Sequence, residues 1–430
     1  MTTVPIEPKA GGLFAEPRTI KATGLSAGFL SDLAAKTLYY ESVLSGFDLA
    51  ERLKLPFHSA LEELLELMRR EKLVEVRGSA GGSLISGSFQ YAITQLGRER
   101  AKEVLERNQY VGPAPVPLPL YAEAMRAQRI RDLAIGPDVV EEGLSHLVLS
   151  RELLERLGPA VNSGQSMFLY GAPGNGKTVI AEAIGQRMLR GNVQVPYAVE
   201  VDGQVITVFD PLTHRLADAP APGNGRADGR WLYCGRPVVV AGGELVMESL
   251  DLNYNVAAKY YEAPLQMKAN GGVLLIDDFG RQLVKPRDLL NRWIVPLEKQ
   301  VDYLTLHTGK KIAIPFEELI IFSTNLEPKS LVDEAFLRRI RHKILVPNPT
   351  WDEYREIFQR MCAARGMACD EPTLVYLLDA YYVKGKRPLR ACQPRDLIDE
   401  ARDIAHYLGQ PMVLTKELVD RACQVYFADL

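Results

Sequence analysis

The sequence predicts an α/β protein built on a parallel sheet, with a small α+β unit before it and a helical unit after it. Three observations carry this reading. Short apolar strand patterns alternate with helical patterns over about residues 125–349, as in parallel sheets with crossover helices. A glycine-rich stretch ending in Lys-Thr, Gly171–Thr178, stands between one such strand and one such helix. From Trp351 onward only helical periodicity remains.

A chain of 430 residues is expected to hold two or three domains. With 47% hydrophobic and 24% charged residues and a formal charge of −3, it is an ordinary globular composition. Collagen-like, largely disordered and small disulfide-scaffold proteins are excluded. Cys234, Cys362, Cys369, Cys392 and Cys423 are odd in number and none forms a C-x-x-C pair. They read as reduced thiols of a cytoplasmic protein, not as a zinc site or disulfide framework. The N-terminus lacks an apolar signal segment, and no stretch approaches a membrane helix, so no membrane insertion is expected.

Residues 1–20, with three prolines and a Gly-Gly, read as a flexible tail. Residues 21–110 form the next unit. Helices are expected at Phe29–Ser42, Phe47–Leu53 and His58–Lys72, the last with Leu61, Leu64, Leu65 and Met68 at helical spacing. Strands Leu73–Arg77 and Ser86–Thr94 flank a Gly/Ser turn, and Leu96–Asn108 closes the unit as a helix. This order resembles a winged helix-turn-helix domain.

Alternating prolines at 113, 115, 117 and 119 favour an extended, semi-rigid spacer, so residues 111–124 are expected to be a linker. The α/β core then runs over 125–349 and the helical unit over 350–430.

Gly171-Ala172-Pro173-Gly174-Asn175-Gly176-Lys177-Thr178 fits G-x-x-x-x-G-K-[ST]. It follows a strand at Ser166–Tyr170 and opens a helix at Thr178–Leu189, whose first turn includes Val179. Glycines let backbone N–H groups turn inward on phosphates, and the helix N-terminus adds partial positive charge. Lys177 is expected at the β- and γ-phosphates of ATP, and Thr178 on Mg²⁺. Val273-Leu274-Leu275-Ile276-Asp277-Asp278 supplies a buried strand ending in two carboxylates. Ligands sit at such strand ends in open α/β sheets. Asp277 is placed to hold Mg²⁺, and Asp278 to orient or deprotonate the attacking water.

From these motifs the chain resembles the AAA+ ATPase superfamily over roughly residues 130–430. The resemblance implies a five-stranded parallel sheet, a C-terminal helical lid, ATP hydrolysis and assembly into a homo-oligomeric ring, expected to be a hexamer. Asn325, after the strand Leu319–Ser323, looks like sensor 1. Asp333–Arg341 resembles the segment that lends an arginine finger to a neighbouring subunit, with Arg339 the first choice and Arg338 the second. Cys392–Leu397 resembles sensor 2, with Arg395 reaching ATP from the lid. Ile135-Gly136 fits the stretch that wraps adenine. A helix over 289–298 followed by strands at Val301–Thr308 and Lys310–Ile314 resembles the presensor-1 β-hairpin group, which includes MoxR-type ATPases.

Two departures stand out. The strand carries Asp-Asp where most of the superfamily has Asp-Glu, which opens the prospect of slow hydrolysis. A long insertion, 191–252, follows the P-loop helix, with a hairpin at Tyr197–Phe209 turning at Asp202-Gly203. Tyr260 and Tyr261 lie where pore loops of remodelling rings occur, although packing is the commoner use of such tyrosines.

The winged-helix-like unit holds 12 Lys/Arg and 12 Asp/Glu. Its third helix opens with Glu62, Glu63 and Glu66, which disfavours phosphate contact at the end that usually meets bases. Nucleic acid is therefore less expected as a partner than a protein client or adaptor. Remodelling of a protein complex is the expected role; an ATP-gated, DNA-associated switch and an ATP-binding scaffold are the alternatives.

Overall fold

The computed structural model describes residues 12–79, 85–218, 226–331 and 334–427. The first unit contains α1 (Ala27–Glu41), β1 (Val43–Ser45), α2 (Gly46–Leu53), α3 (Glu62–Arg70), β2 (Val74–Ser79), β3 (Phe89–Ile93) and α4 (Gln95–Arg107). Ser26 caps α1 by accepting from the Phe29 N–H. Lys54, in the left-handed region at φ 54°, ends α2 just before Leu55-Pro56. The three strands form an antiparallel sheet in the order β1-β3-β2. Leu61, in the wider turn Phe57–Leu61 that leads into α3, and Leu64, Leu65 and Met68 of α3 are all buried in this unit's core. Gly97 is required by close approach: a Cβ there would lie 2.1 Å from the Leu73 carbonyl oxygen.

The tail expected over 1–20 is packed in its described part. Phe14 meets Trp231 edge to face, Ala15 bridges Ala227, and Ile20 is buried. The expected spacer is likewise held down. Val116–Pro117 forms β4, paired with a later strand, and Leu118–Ala127 is helix α5. Ala114 and Val116 are fully buried. Proline is tolerated here because β4 is the edge of its sheet and Pro119 lies in the first turn of α5, where missing N–H groups cost least.

After α6 (Pro137–Leu144) and α7 (Arg151–Asn162) come β5 (Met167–Tyr170) and α8 (Lys177–Ala183), the latter continued by a wider turn over Ile184–Met188. Next are β6 (Asn192–Pro196), β7 (Ala198–Val201), β8 (Gln204–Thr207), β9 (Trp231–Gly235), β10 (Val238–Ala241), β11 (Asn253–Asn255) and β12 (Tyr260–Glu262). The core continues with α9 (Leu265–Ala269), β13 (Val273–Ile276), α10 (Pro286–Arg292), α11 (Ile294–Lys299), β14 (Val301–Thr305), β15 (Lys311–Pro315), β16 (Leu319–Thr324), α12 (Pro328–Leu331), α13 (Glu334–Leu337) and β17 (His342–Leu345).

The main sheet has five strands in the order β10-β13-β16-β5-β17, and every pairing is parallel. Of its three inner strands, β13 and β16 are buried along their whole length, the reason they read as unbroken apolar runs. The C-terminal bound of the expected insertion 191–252 is thereby corrected. β10, inside it, is the edge strand of the main sheet, while β11 and β12, beyond it, belong to a second sheet. That mixed sheet runs β11-β12-β8-β7-β4. Its hairpin turns at Asp202 and Gly203, both at positive φ (51° and 79°), as a two-residue hairpin requires.

The second sheet joins the units. Ala198 and Val205 pack into the core of the first unit, whereas Val199 and Ile206 pack with α5 and the β14–β15 hairpin. Tyr261 is buried and bonded to His307, and Tyr260 packs edge to face on Tyr110; neither projects as a free gripping side chain.

The helical unit consists of α14 (Trp351–Arg365), α15 (Glu371–Leu377), α16 (Gln393–Tyr407) and α17 (Lys416–Tyr426) around one apolar cluster. A reciprocal cap between Thr350 and Glu353 starts α14. Among the described residues, no helix is long and apolar enough to cross a membrane.

Candidate functional site

A cavity of about 570 Å³ opens between the main sheet and the helical unit. Loop residues Pro173 to Lys177 line it, whereas Gly171 and Ala172, also expected at the site, do not. Gly171, Gly174 and Gly176 have φ of 141°, 80° and 80°, a backbone that side chains rarely adopt. At Gly171 the reason is also steric, since a Cβ would stand 2.4 Å from the Val346 carbonyl oxygen. Helix α8 then starts at Lys177 with its first N–H groups facing the cavity end.

Five side chains meet where β13 and β16 end. Lys177, only 6% exposed, directs Nζ to the carbonyls of Gly171 (3.0 Å) and Ala172 (2.9 Å) and to Asn325 Oδ1 (2.7 Å). Asn325 in turn donates Nδ2 to Asp278 Oδ1 at 2.9 Å. Burial pulls the Lys177 ammonium below the usual lysine range, while Asp278 and Asp277 act against that shift. Beside them, Thr178 Oγ1 lies 3.0 Å from both oxygens of Asp277.

The strand ends are stitched together. Phe279 N–H donates to the Ser323 carbonyl at 2.7 Å, and Thr324 Oγ1 to the Phe279 carbonyl at 2.8 Å. Gln282 Nε2 donates to the Asp277 carbonyl at 2.6 Å. Gln282 and Thr324 therefore brace the carboxylate turn, a role with no signal in the sequence because both act through backbone partners.

The fit of Mg²⁺ can be judged from these donors. Thr178 and Asp277 offer hard oxygens side by side, and the described residues contain no cluster of three or more His, Cys, Asp or Glu able to cage a metal. One hydroxyl and one carboxylate, completed by phosphate oxygens and water, is a set that suits Mg²⁺.

Of the residues expected at the site, Pro173, Gly174, Asn175, Gly176, Lys177, Thr178, Val179, Asp277, Asp278, Asn325 and Arg395 line this cavity. Arg395 enters from α16, largely exposed, paired with Asp396 at 2.8 Å. Ile135 and Gly136 do not line it. Ile135 is buried in the apolar core and exchanges hydrogen bonds with the Asn162 side chain, while Gly136 starts α6. The wall expected from them is supplied by His146–Ser150, between α6 and α7, which short-range sequence pattern does not reveal. Arg338 and Arg339 also lie outside this cavity. Arg338 is exposed, and Arg339 pairs with Glu298 at 2.6 Å.

A family model described as a domain of unknown function, DUF8689, matches residues 350–425, the helical unit. No curated protein matches. Among solved structures, the chain is similar to NtrX from Brucella abortus in complex with ADP, at 14% identity and a TM-score of 0.40. That match covers 64% of this chain and 55% of the other, so the chain spans about half of that NtrX structure. It is also similar to the Thermotoga maritima RuvB Holliday junction branch migration motor, at 16% identity and a TM-score of 0.37, covering 68% of this chain and 70% of that one. A point mutant of the same RuvB matches at 14% identity and a TM-score of 0.40, with 65% and 71% covered.

Proposed function

We propose that the protein is a Mg²⁺-dependent ATPase of the AAA+ type that assembles as a ring and remodels a protein complex. The observation that carries this reading is the convergence of Lys177, Thr178, Asp277, Asp278 and Asn325 at one end of a nucleotide-sized cavity.

In this reading the loop amides of residues 172–178 cradle the phosphates. Lys177 leaves its loop carbonyls for the β- and γ-phosphate oxygens. Thr178 and Asp277 would hold Mg²⁺, which would supply positive charge to the bound phosphates. Asp278 accepts a proton from the attacking water, and Asn325 holds that carboxylate in place. Arg395 closes on the phosphates from the lid. Arg339, or Arg338, serves the site of a neighbouring subunit, where a guanidinium stabilises charge developing in the transition state.

The assignment to the MoxR-like branch rests on the antiparallel β14–β15 hairpin placed before β16. The winged-helix reading of the first unit rests on its element order. An acidic opening to α3 and the packing of this unit on the second sheet favour docking of a protein client or adaptor over DNA. The five unpaired cysteines support a cytoplasmic location.

The test is steady-state ATP hydrolysis against protein concentration, with mass measured with and without ATP. Specific activity rising with concentration, and a ring formed on ATP, are expected. Hydrolysis that is absent, or independent of concentration while ATP still binds, would overturn the ring-ATPase reading.

A further inference from the structure

One side-chain amide in the phosphate loop is committed to the lid. Asn175 stands at a variable position of the loop motif, yet it is 4% exposed. Its Nδ2 donates to Asn348 Oδ1 at 2.8 Å, and its Oδ1 accepts from the Ala391 N–H at 3.3 Å. Asn348 lies in the hinge between β17 and α14, and Ala391 lies two residues before α16. Arg390 donates to the same Asn348 Oδ1.

The Arg390 contact settles the orientation of the network. A guanidinium only donates, so the Asn348 atom facing it is oxygen. Asn175 must then present its NH₂ to that oxygen, which leaves its own oxygen for the Ala391 N–H. Both amides are thus fixed by one arginine. The backbone adds a parallel link, Cys392 N–H to the Gly174 carbonyl at 2.8 Å. The contact is close, since a Cβ on Gly174 would meet Cys392 Sγ at 2.5 Å. Loop, hinge and lid therefore share one polar junction at the cavity edge, in which Asn175 is buried and Asn348 is exposed. Loss of Asn348 leaves the buried Asn175 amide without its hinge partner.

We propose that Asn175, Asn348 and Arg390 form a clasp that transmits occupancy of the phosphate loop to the lid, with Asn348 as its positioning residue. Phosphates drawn onto the amides of Gly174–Gly176 fix Asn175. Asn175 then holds Asn348 and the Ala391 N–H, and these set the first turn of α16, which carries Arg395. Lid position is read through the loop's own side chain as well as through Arg395. This inference rests on the nucleotide-binding reading above.

The test is hydrogen–deuterium exchange on the full chain, with and without ADP or ATP, read over residues 389–397. Wild type should gain protection there on binding nucleotide. Asn348→Ala should lose most of that gain while still binding ADP within about tenfold, a difference of roughly 1.4 kcal/mol. Arg390→Ala should behave alike. Asn348→Asp should restore the gain, because both donors are received by Oδ1, which aspartate keeps. A merely structural role would alter exchange equally with and without nucleotide. Full protection in Asn348→Ala, or no rescue by Asn348→Asp, would overturn the clasp alone. Wild type that binds neither nucleotide would overturn the ATPase reading and the clasp with it.

Discussion

Asn325 donates its side-chain amide to Asp278, 2.9 Å from Nδ2 to Oδ1, and the carboxylate it holds stands on a left-handed backbone with φ 49°. Asp and Asn tolerate that region better than longer side chains do. The backbone of this turn therefore favours Asp over Glu at 278.

Asp278→Asn keeps the favoured backbone and the oxygen that Asn325 donates to. We expect unchanged thermal stability and ATP binding, with hydrolysis reduced on the order of 100-fold or more, as for loss of a general base. Asp278→Glu places a longer side chain on the same backbone, at a cost of about 1 kcal/mol or more. A calorimetric midpoint lower for Glu than for Asn would bear this out; equal midpoints would count against the backbone argument.

Arg230 is fully buried. It pairs with Asp228 at 2.8 Å and donates to the carbonyls of Thr23 (2.8 Å) and Pro115 (3.3 Å). It thereby ties the N-terminal segment and the proline-rich strand to the second sheet. Removing one partner of such a pair strands a buried charge, so Arg230→Ala should cost about 3–5 kcal/mol in urea unfolding. Limited proteolysis near residues 111–117 should accelerate in that variant. Cleavage at the wild-type rate would mean that the latch does not hold this segment.

Lys36 is buried and donates to the Asn108 carbonyl at 3.1 Å. Burial pushes its ammonium down to about 8, with Asp32 opposing the shift. The unfolded chain keeps its proton up to about 10.5, so between these values the unfolded state binds more protons and stability rises with pH. Below pH 8 the cost of the buried charge is present in full. The stability deficit of wild type relative to Lys36→Met should therefore narrow between pH 8 and pH 10. Chemical denaturation at the two pH values measures it, and a constant deficit would contradict the assignment.

Arg339 does not line the cavity between the main sheet and the helical unit, so on the proposed function its loss should spare nucleotide binding and remove activity only in assemblies. Arg339→Ala is expected to bind a fluorescent ATP analogue normally and to hydrolyse ATP about 10³-fold more slowly. Mixed with Asp278→Asn, it should regain partial activity, because some interfaces then combine an intact site with an intact finger. No recovery on mixing would argue against action between subunits.

Local pattern determined much of this molecule. The loop Gly171–Thr178 was legible from its fixed glycine and Lys-Thr spacing, and the strands before Asp277-Asp278 and before Asn325 because each is a short apolar run with its chemistry at one end. The helices of the first unit were legible because their buried faces repeat every three or four residues, and the Asp202-Gly203 turn because few residues accept its backbone. Tertiary structure decided what depends on a distant partner. The prolines of 113–119 read as a spacer, yet Val116–Pro117 is an edge strand because β7, far along the chain, offers an edge to pair with. Ile135 reads as a base contact, yet it is core because the Asn162 side chain closes its backbone. Asn175 reads as a variable loop position, and only the meeting of hinge and lid gives it two partners. Periodicity records which face of an element is buried; it does not record what that face is buried against.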